Sequence, residues 1–307
     1  MIFFDEKKHE YRLFDAINGP ICVSATTFIS LFKGEFQSDY WSLYTAFRKA
    51  KGMYSPIREE DDVLKKQFAK WLIIKFKHDF KALDNQPIEQ AKAIIIYYAH
   101  QCGITKEELE MYQQMALHEW KGISTKAQIK GTTFHNSQEN LVYQNDGKEF
   151  EGVYSKLINQ TEDLTKLCDP NKVVIAPELR MYNERYMISG TADEVVFYPD
   201  RTFSISDWKT SRKIDRTSKS KMKFPVDYLE NTNENHYYLQ ISLYAWMLEQ
   251  FNYKCKNLKF IHVILEEDGI TIKDQIEYHT PFLKLEIENM LNYYDKNKEE
   301  LLKKIKK

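Results

Sequence analysis

The chain has 307 residues, and its 44 Lys and Arg nearly balance its 45 Asp and Glu, giving a formal net charge of −1 at pH 7. Apolar residues make up 43% and charged residues 29%, which excludes wholesale disorder, and the 10 glycines and 8 prolines exclude collagen-like and low-complexity chains. The balanced charge excludes a uniformly basic DNA-coating protein, although local basic patches remain compatible with nucleic-acid binding.

The four cysteines are far apart and form no Cys-x-x-Cys pair: Cys22, Cys102, Cys168 and Cys255. The sequence therefore predicts free thiols in a reducing compartment rather than a zinc or iron–sulfur site. The first residues become charged too early for a signal peptide, and no apolar run reaches the length of a membrane span. We expect a cytoplasmic or otherwise intracellular protein with no membrane partner.

The first half of the chain is predicted to be mainly helical. Two short extended runs, around Ile2–Phe4 and Tyr11–Phe14, precede a short helix from Thr26 for which Ser24 is the expected N-cap. From residue 40 to about 120, apolar residues recur at helical intervals. Their aromatic stripes predict a packed core.

The residue pattern of the chain changes near Val173, in its second half. Runs of β-branched and aromatic residues, separated by turn signals, predict five strands: Val174–Tyr182, Tyr186–Tyr198, Thr202–Trp208, Leu258–Glu266 and Ile270–Tyr278. A lysine-rich loop and a helix over Asn233–Gln250 separate the third strand from the fourth, and a final helix begins near Thr280. The order of elements predicts a mixed fold of helices and strands.

Two aspartates and a lysine are candidates for catalysis. Asp207 and Lys209 are two residues apart on a predicted strand and point to the same face, whereas Trp208 points to the other. Pairing the strands across the turn at Pro199-Asp200 brings Asp193 opposite the region of Asp207. Two carboxylates this close repel each other, so the arrangement indicates a divalent cation between them.

A hard cation such as Mg²⁺ prefers oxygen ligands, which Asp193, Asp207 and the backbone carbonyl of Trp208 offer. Such a cation activates water and stabilises charge on a transferring phosphate, and Lys209 is placed to position the water or offset that charge. Glu178, on the preceding strand, is a further candidate ligand. The alternative is that Asp207 and Lys209 form an ordinary surface ion pair.

Two further features accompany this pattern. Spaced four apart on the next helix, His236, Gln240 and Tyr244 share one face, where a Gln–Tyr edge can hold a phosphate or a metal-bound water. The alternative is an ordinary amphipathic helix whose apolar face is Leu239, Leu243, Trp246 and Met247. Earlier in the chain, Gly131-Thr132 precedes His135, although a lone histidine is more often structural than a ligand.

The ordered motifs resemble those of the PD-(D/E)xK nuclease superfamily, and most resemble its RecB-like and phage-type exonuclease branch. The motifs are, in order, G-T-x-x-H at Gly131–His135, an acidic strand, G-x-x-D at Gly190–Asp193, D-x-K-T at Asp207–Thr210 and Q-x-x-x-Y at Gln240–Tyr244. The segment from His9 to Thr27 is similar to the front of phage-type members, so the resemblance covers residues 9 to about 250.

The resemblance implies an α/β (α+β) fold with a restriction-endonuclease-like mixed central sheet flanked by helices. It implies a single domain over residues 1–307, with a helical elaboration at 40–122 and a catalytic core at 123–280. The implied metal ligands are His135, Asp193 and Asp207, with Glu178 as a less secure addition; the implied catalytic residues are Asp193, Asp207, Lys209, Gln240 and Tyr244. Mg²⁺ or Mn²⁺ is the implied cofactor, and the scattered cysteines disfavour the iron–sulfur subgroup.

The implied activity is metal-dependent hydrolysis of DNA phosphodiester bonds, by an exonuclease rather than an endonuclease. The implied substrates are single-stranded DNA or duplex ends. The implied processes are recombination, repair or replication, and proteins of recombination or replication are the implied partners. A phage-encoded member would act in the host cytoplasm. Two alternatives stay open: a nuclease-like scaffold that recruits nucleic acid or a partner without cleaving, and an unrelated α+β protein whose motifs coincide by chance.

The loop after Lys209 is strongly basic, and only Asp215 opposes its charge. Its other basic residues are candidate phosphate contacts: Arg212, Lys213, Arg216, Lys219, Lys221 and Lys223. Phe224 and Tyr228 follow and are candidates for stacking on bases. The alternative is a solvated loop with no ligand.

Overall fold

The computed structural model describes residues 2–5, 8, 10–34, 36–77, 86–144, 149–150, 153–155 and 173–305. His9 and Cys168 lie outside the described residues. The chain divides into two compact units: Met1–Gly34 together with Ala127–Lys307, and Glu35–Lys126. The predicted helical segment 40–122 falls within the second unit.

Seven helices lie in the described parts of the chain: α1 (Ala25–Ser30), α2 (Ser38–Ala50), α3 (Arg58–Phe76), α4 (Ile88–Gln101), α5 (Lys106–Gln144), α6 (Asn233–Glu249) and α7 (Lys284–Ile305). The same parts contain ten strands: β1 (Ile2–Asp5), β2 (Glu10–Leu13), β3 (Ile21–Ser24), β4 (Glu149–Phe150), β5 (Val153–Ser155), β6 (Val173–Asn183), β7 (Ile188–Phe197), β8 (Thr202–Lys209), β9 (Lys254–Leu265) and β10 (Ile272–His279).

The strands of the first unit form one mixed, mostly antiparallel sheet. The meander β6–β7–β8 is antiparallel, and β9 pairs in parallel with β8 and antiparallel with β10. The hairpin β1–β2 joins the sheet through β3, and β4–β5 extends its other side. The sequence did not predict β4 and β5, which have only two and three residues.

Strand β7 carries two different neighbours on one of its edges. β6 pairs along the length of β7, whereas β3 pairs in parallel with its start and β8 pairs antiparallel with its end. Rungs to β3 stop at Ser189, and rungs to β8 begin at Glu194. The stretch between them, which includes Asp193, therefore lies where β3 and β8 diverge.

Helices pack on the sheet through a large apolar core. Phe28 of α1, Leu243 of α6 and Tyr294 of α7 are fully buried against strand residues such as Leu179 and Ile205. Ser24 caps α1 as predicted, because its hydroxyl accepts a hydrogen bond from the Thr27 amide at 3.2 Å. These observations confirm a mixed α/β fold in which helices flank a mostly antiparallel sheet.

The predicted amphipathic character of the helix at Asn233–Gln250 is wrong for its second half. In α6 every residue from Ile241 to Leu248 is buried, including Tyr244 on the face that was expected to be polar. The physical reason is that α6 lies between the sheet and α7, so both of its sides meet apolar side chains.

The second unit has its own core of aromatic and aliphatic residues. Phe47 of α2 and Phe68 of α3 are fully buried with their rings edge to face at 5.1 Å. Arg48 is buried beside them and pairs with Asp61. At the start of α5, Thr105 and Glu108 exchange side-chain and backbone hydrogen bonds in a capping box.

Helix α5 continues to Gln144, so the predicted boundary at residues 122/123 falls inside a continuous helix. Among the described residues, no helix combines the length and apolarity that crossing a membrane requires. Cys22, Cys102 and Cys255 are free thiols, with Cys22 buried.

Candidate active site

The site begins at an interrupted rung of the sheet. Glu178 of β6 and Asp193 of β7 face each other where the ladder lacks a rung, although the rungs on both sides are formed. Glu178 has a φ of 46°, a left-handed conformation that non-glycine residues rarely adopt. Such strained positions cluster at functional sites because the surrounding structure must enforce them.

At the same rung, the alternation of buried and cleft-facing side chains along each strand shifts by one residue. On β6, Ala176 is buried before the interruption and Leu179 after it, whereas regular alternation would bury only one of the two. On β7, Ala192 and Val195 show the same change. The interruption therefore reorients both strands and leaves the Glu178 carboxylate on the side away from the core.

His135 of α5 completes a group of three potential metal ligands. Its Nδ1 lies 3.2 Å from Asp193 Oδ1 and 3.8 Å from Glu178 Oε1. One donor atom from each residue lies within 4.8 Å of the others, close enough to coordinate one ion. An imidazole nitrogen with carboxylate oxygens is a donor set that suits divalent transition metals and Mn²⁺.

The neighbour of His135 anchors the helix to the sheet. Phe134 is fully buried with Ile261 and Val263 of β9, and its ring meets that of Trp208 edge to face at 6.5 Å. One turn earlier, a Cβ atom at Gly131 would lie only 3.1 Å from Thr210 Oγ1. The absence of a side chain at Gly131 thus lets the helix approach the end of β8, and His135 on the same helix reaches the acidic residues.

Asp193 also fixes the end of β8. The last rung of the β7–β8 ladder pairs Glu194 with Ser206, so the next position brings Asp193 opposite Asp207, as the sequence predicts. Instead of a backbone rung, Asp193 Oδ2 accepts a hydrogen bond from the Trp208 amide at 2.6 Å. The structure thus assigns a contact to the amide of Trp208, whereas metal binding by its carbonyl stays a prediction.

Asp207 lies next to the three potential ligands but faces a lysine. Its Oδ2 is 2.5 Å from Lys209 Nζ, and its side chain is almost fully buried. Lys209 Nζ also donates to Gln240 Oε1 at 3.1 Å and lies 4.8 Å from the centre of the Tyr237 ring. Asp207 is therefore engaged by Lys209, and its role as a metal ligand stays a prediction.

A chain of contacts continues into α6. Gln240 Nε2 donates to the Tyr244 hydroxyl at 2.8 Å, so Asp207, Lys209, Gln240 and Tyr244 form one connected series. Tyr244 lies against β7, where a Cβ at Gly190 would come within 2.5 Å of its ring. His236, on the same helix, instead bonds to Asn231 at 2.8 Å.

Burial and the closeness of the carboxylates shift the pKa values of the residues in the site. Burial lowers the pKa of His135, but the adjacent Asp193 carboxylate outweighs it and the pKa rises to about 10. Burial, followed by the charge of Asp193, raises the pKa of Asp207 to about 6. Burial is also the main reason that the pKa of Glu178 rises to about 6, although His135 opposes it. A divalent cation would relieve this crowding of carboxylates.

Two of the potential ligands, His135 and Glu178, line a cleft of about 550 Å³. Its lining includes His135, Glu178, Arg180, Thr191, Lys8 and Phe4. Thr191 Oγ1 is hydrogen-bonded to the Tyr11 hydroxyl at 2.8 Å, which ties the N-terminal hairpin to β7 beside the cleft. The site is thus accessible on one side and closed by the core on the other.

The basic loop after Lys209 is more neutral than its sequence indicates. Arg216 pairs with Glu234 at 2.8 Å, Lys213 with Asp215 at 3.1 Å, and Lys221 with Glu230 at 3.7 Å. The loop is held in place because the Lys223 amide donates to the Phe32 carbonyl at 2.7 Å. Exposed ion pairs are worth only about 0–1 kcal/mol, so phosphates can still compete for these cations.

The two aromatic candidates after the loop are exposed. Phe224 is 62% and Tyr228 56% accessible. The Tyr228 hydroxyl donates to Glu286 at 2.9 Å, and the Phe224 ring lies 5.3 Å from that of Tyr293. Base stacking on either ring stays a prediction.

Sequence reasoning missed several residues around the site. Arg180 and Thr191 line the cleft from neighbouring strands, and their alternation with the buried positions was the available signal. His262 pairs with Lys209 across β8 and β9, and its Nε2 donates to the Ser211 carbonyl at 2.5 Å. Lys33 lies near Lys209, and burial followed by the charge of Lys209 lowers its pKa. The positions of His262 and Lys33 depend on long-range packing.

A comparison with protein-family models finds no match, and a comparison with curated proteins finds no significant similarity.

Proposed function

We propose that the protein is a divalent-cation-dependent nuclease that hydrolyses phosphodiester bonds of DNA. The observation that carries the proposal is the convergence of His135, Glu178 and Asp193 at the interrupted rung, beside the buried pair of Asp207 and Lys209. Structural ion pairs rarely combine a strained backbone, crowded carboxylates and a cleft at the same place.

The donor set fits a divalent cation. His135, Glu178 and Asp193 would hold it, with Asp207 next to them, and Mg²⁺ or Mn²⁺ is the proposed ion. A cation bound there would supply Lewis acidity toward the scissile phosphate and toward water.

The protein's own residues prepare the rest of the site. Lys209 is a largely buried ammonium whose position is fixed by Asp207 and Gln240, so it is held ready to offset charge that builds up on a phosphate as the P–O bond breaks. The Tyr244 hydroxyl accepts a hydrogen bond from Gln240 and so helps to fix the position of the Gln240 side chain. Because Asp207 and Gln240 already hold the ammonium in place, little reorganisation is needed when the phosphate binds.

The proposal extends to the kind of substrate. Exonucleolytic action on single-stranded DNA or duplex ends, in recombination, repair or replication, rests on the resemblance of the ordered motifs. Partner proteins from those processes are part of the same proposal, and so is action inside the cell. The exposed cations of the loop after Lys209 would contact the strand backbone.

The test is cleavage of end-labelled single- and double-stranded DNA with Mg²⁺, with Mn²⁺ and with EDTA. We expect cleavage only with a cation, and a loss of at least about 100-fold in Lys209→Ala and Asp207→Asn, since removing one charge-stabilising group costs that much. The matched control is Lys284→Ala, which removes an exposed lysine paired with Glu249 and should cleave like the wild type.

Two outcomes would overturn the proposal. Undiminished cleavage in EDTA, or full activity of purified Lys209→Ala, would exclude the site as the source of activity. DNA binding without cleavage under any cation would instead favour the non-cleaving scaffold. Substrates blocked in turn at the 5′ and 3′ ends distinguish exonucleolytic from endonucleolytic action and give its polarity.

A further inference from the structure

Arg180 lines the cleft from β6 and is half-buried. Among the described residues, no carboxylate forms an ion pair with it. Its guanidinium instead lies 5.7 Å from the centre of the Phe4 ring. An anionic partner stabilises a partly desolvated guanidinium, so this arrangement suits an anion bound in the cleft.

Arg180 lies near two of the potential metal ligands in the sheet. It follows Glu178 by two residues on the same strand, so both side chains lie on the face that opens into the cleft. Across the β6–β7 ladder, Arg180 pairs with Thr191, and Asp193 lies two residues after Thr191 on β7. Glu178 of the acidic cluster and Arg180 therefore line the same cleft.

The lining of the cleft carries charges of both signs. Glu139 and Glu178 are its acidic residues, whereas Arg180 and the exposed Lys8 are basic and suit an anion. An arginine fork matches two phosphate oxygens at once, and a neighbouring lysine adds a second positive charge. The aromatic ring of Phe4 beside the guanidinium limits the directions in which the fork can point.

We propose that Arg180 and Lys8 form a phosphate subsite that binds the substrate strand at the phosphate next to the one cleaved. The inference rests on the proposed function and adds residues that hold the strand in place beside the acidic cluster. Two sources share this chemistry: an internal phosphodiester, and a terminal phosphate monoester at the strand end. Arg180 would then be a specificity-determining residue only in the second case.

The test measures binding of fluorescently labelled single-stranded oligonucleotides to Lys209→Ala protein with Ca²⁺, which separates binding from cleavage. Adding Arg180→Gln should weaken binding by about 5- to 100-fold and lower the slope of log affinity against log salt by about one. Arg180→Lys should recover part of the affinity, because it restores the charge without the fork. The control is Arg185→Gln, an exposed arginine paired with Asp295, which should bind like the parent.

The phosphate source is separated by oligonucleotides of one sequence that carry a 5′-phosphate, a 3′-phosphate or no terminal phosphate. If the subsite takes a terminal phosphate, the parent prefers one phosphorylated end, and Arg180→Gln abolishes that preference. If it takes an internal phosphate, Arg180→Gln weakens binding of all three equally. Unchanged melting temperatures in the Arg180 variants show that folding is intact.

The outcomes separate the two proposals. Equal affinity and equal salt slope in Arg180→Gln and its parent would overturn the subsite even if the wild type cleaves DNA. Arg180-dependent binding by a wild type that cleaves nothing would overturn the nuclease proposal and leave Arg180 as part of a site that binds phosphate without cleavage. A wild type that neither binds nor cleaves DNA would overturn both.

Discussion

The Asp193 carboxylate joins the two halves of the site: its Oδ2 accepts a hydrogen bond from the Trp208 amide at 2.6 Å, while its Oδ1 lies 3.2 Å from His135 Nδ1. One side chain thus replaces a missing rung between β7 and β8 and orients the imidazole on α5. The carboxylate therefore has a structural role and an electrostatic role, and substitutions can separate them.

Asp193→Asn keeps an oxygen that can accept from the Trp208 amide but removes the negative charge beside His135. We expect the His135 pKa, which is about 10 in the wild type without metal, to fall toward the ordinary value of 6.5. Nuclear magnetic resonance titration of the His135 ring measures this. Asp193→Ala also loses the acceptor and should unfold about 1–3 kcal/mol more easily. A His135 pKa that stays near 10 in Asp193→Asn would contradict the assigned cause.

The contribution of the site to the stability of the metal-free protein should fall as the pH rises. The pKa of Glu178 and that of Asp207 rise to about 6 in the folded state, so folding favours their protonated forms, and stability declines as the pH rises from about 4 through 6. His135 adds stability that is fully present below pH 6.5 and is lost as the pH approaches 10.

Thermal unfolding in EDTA across this range is the measurement. Because a cation competes with protons for these ligands, Mn²⁺ should raise the melting temperature more at pH 8 than at pH 5. Glu178→Gln should show a shallower decline between pH 4 and 6, by up to about 2 kcal/mol. A wild-type stability that rises through that window relative to Glu178→Gln would rule out this account of the site.

Gly190 is expected to tolerate no side chain. A Cβ there would lie 2.5 Å from the Tyr244 ring and 3.1 Å from the Cβ of Ala25, so Gly190→Ala should cost about 1–3 kcal/mol and displace Tyr244. Chemical unfolding measures the loss, and adding Tyr244→Leu should restore part of it. Gly122→Ala is the control, because its Cβ would meet nothing within 4 Å and alanine favours a helix. Equal stability of the two alanine variants would refute the close contact.

The basic loop should bind phosphates through charge alone. Lys219→Ala should weaken DNA binding several-fold on every sequence and lower the salt slope by about one. Glu234→Gln should have the opposite effect, since it releases Arg216 from its ion pair at 2.8 Å. Filter binding at several salt concentrations distinguishes these results. If Lys219→Ala binds as tightly as Lys284→Ala, the loop has no part in binding.

The sequence predicted the parts of the fold that depend on local chemistry. Alternating apolar residues and the turn at Pro199-Asp200 determine the β7–β8 register, so the opposition of Asp193 and Asp207 followed from counting residues. The cap at Ser24 was equally local. Turn geometry and side-chain alternation act over a few residues, which is why they can be read from the chain.

The arrangement of the side chains in the site could not be predicted from the sequence alone. The left-handed backbone of Glu178 has no signal in the residues around it, since glutamate rarely adopts that conformation. The approach of His135 depends on Phe134 packing against Trp208, a contact between distant parts of the chain. Local patterns name candidate residues, but long-range packing decides which of them meet.

The shared edge of β7 has a consequence for the order in which the chain folds. Val23 of β3 must find Ile188 across most of the chain, whereas β8 follows β7 through a short turn and α2–α4 lie close together in sequence. Closing a long loop costs entropy before its contacts form, so hairpins and neighbouring helices form early. The seam between β3 and β7 is therefore expected to close among the last events of folding, and the cleft with it.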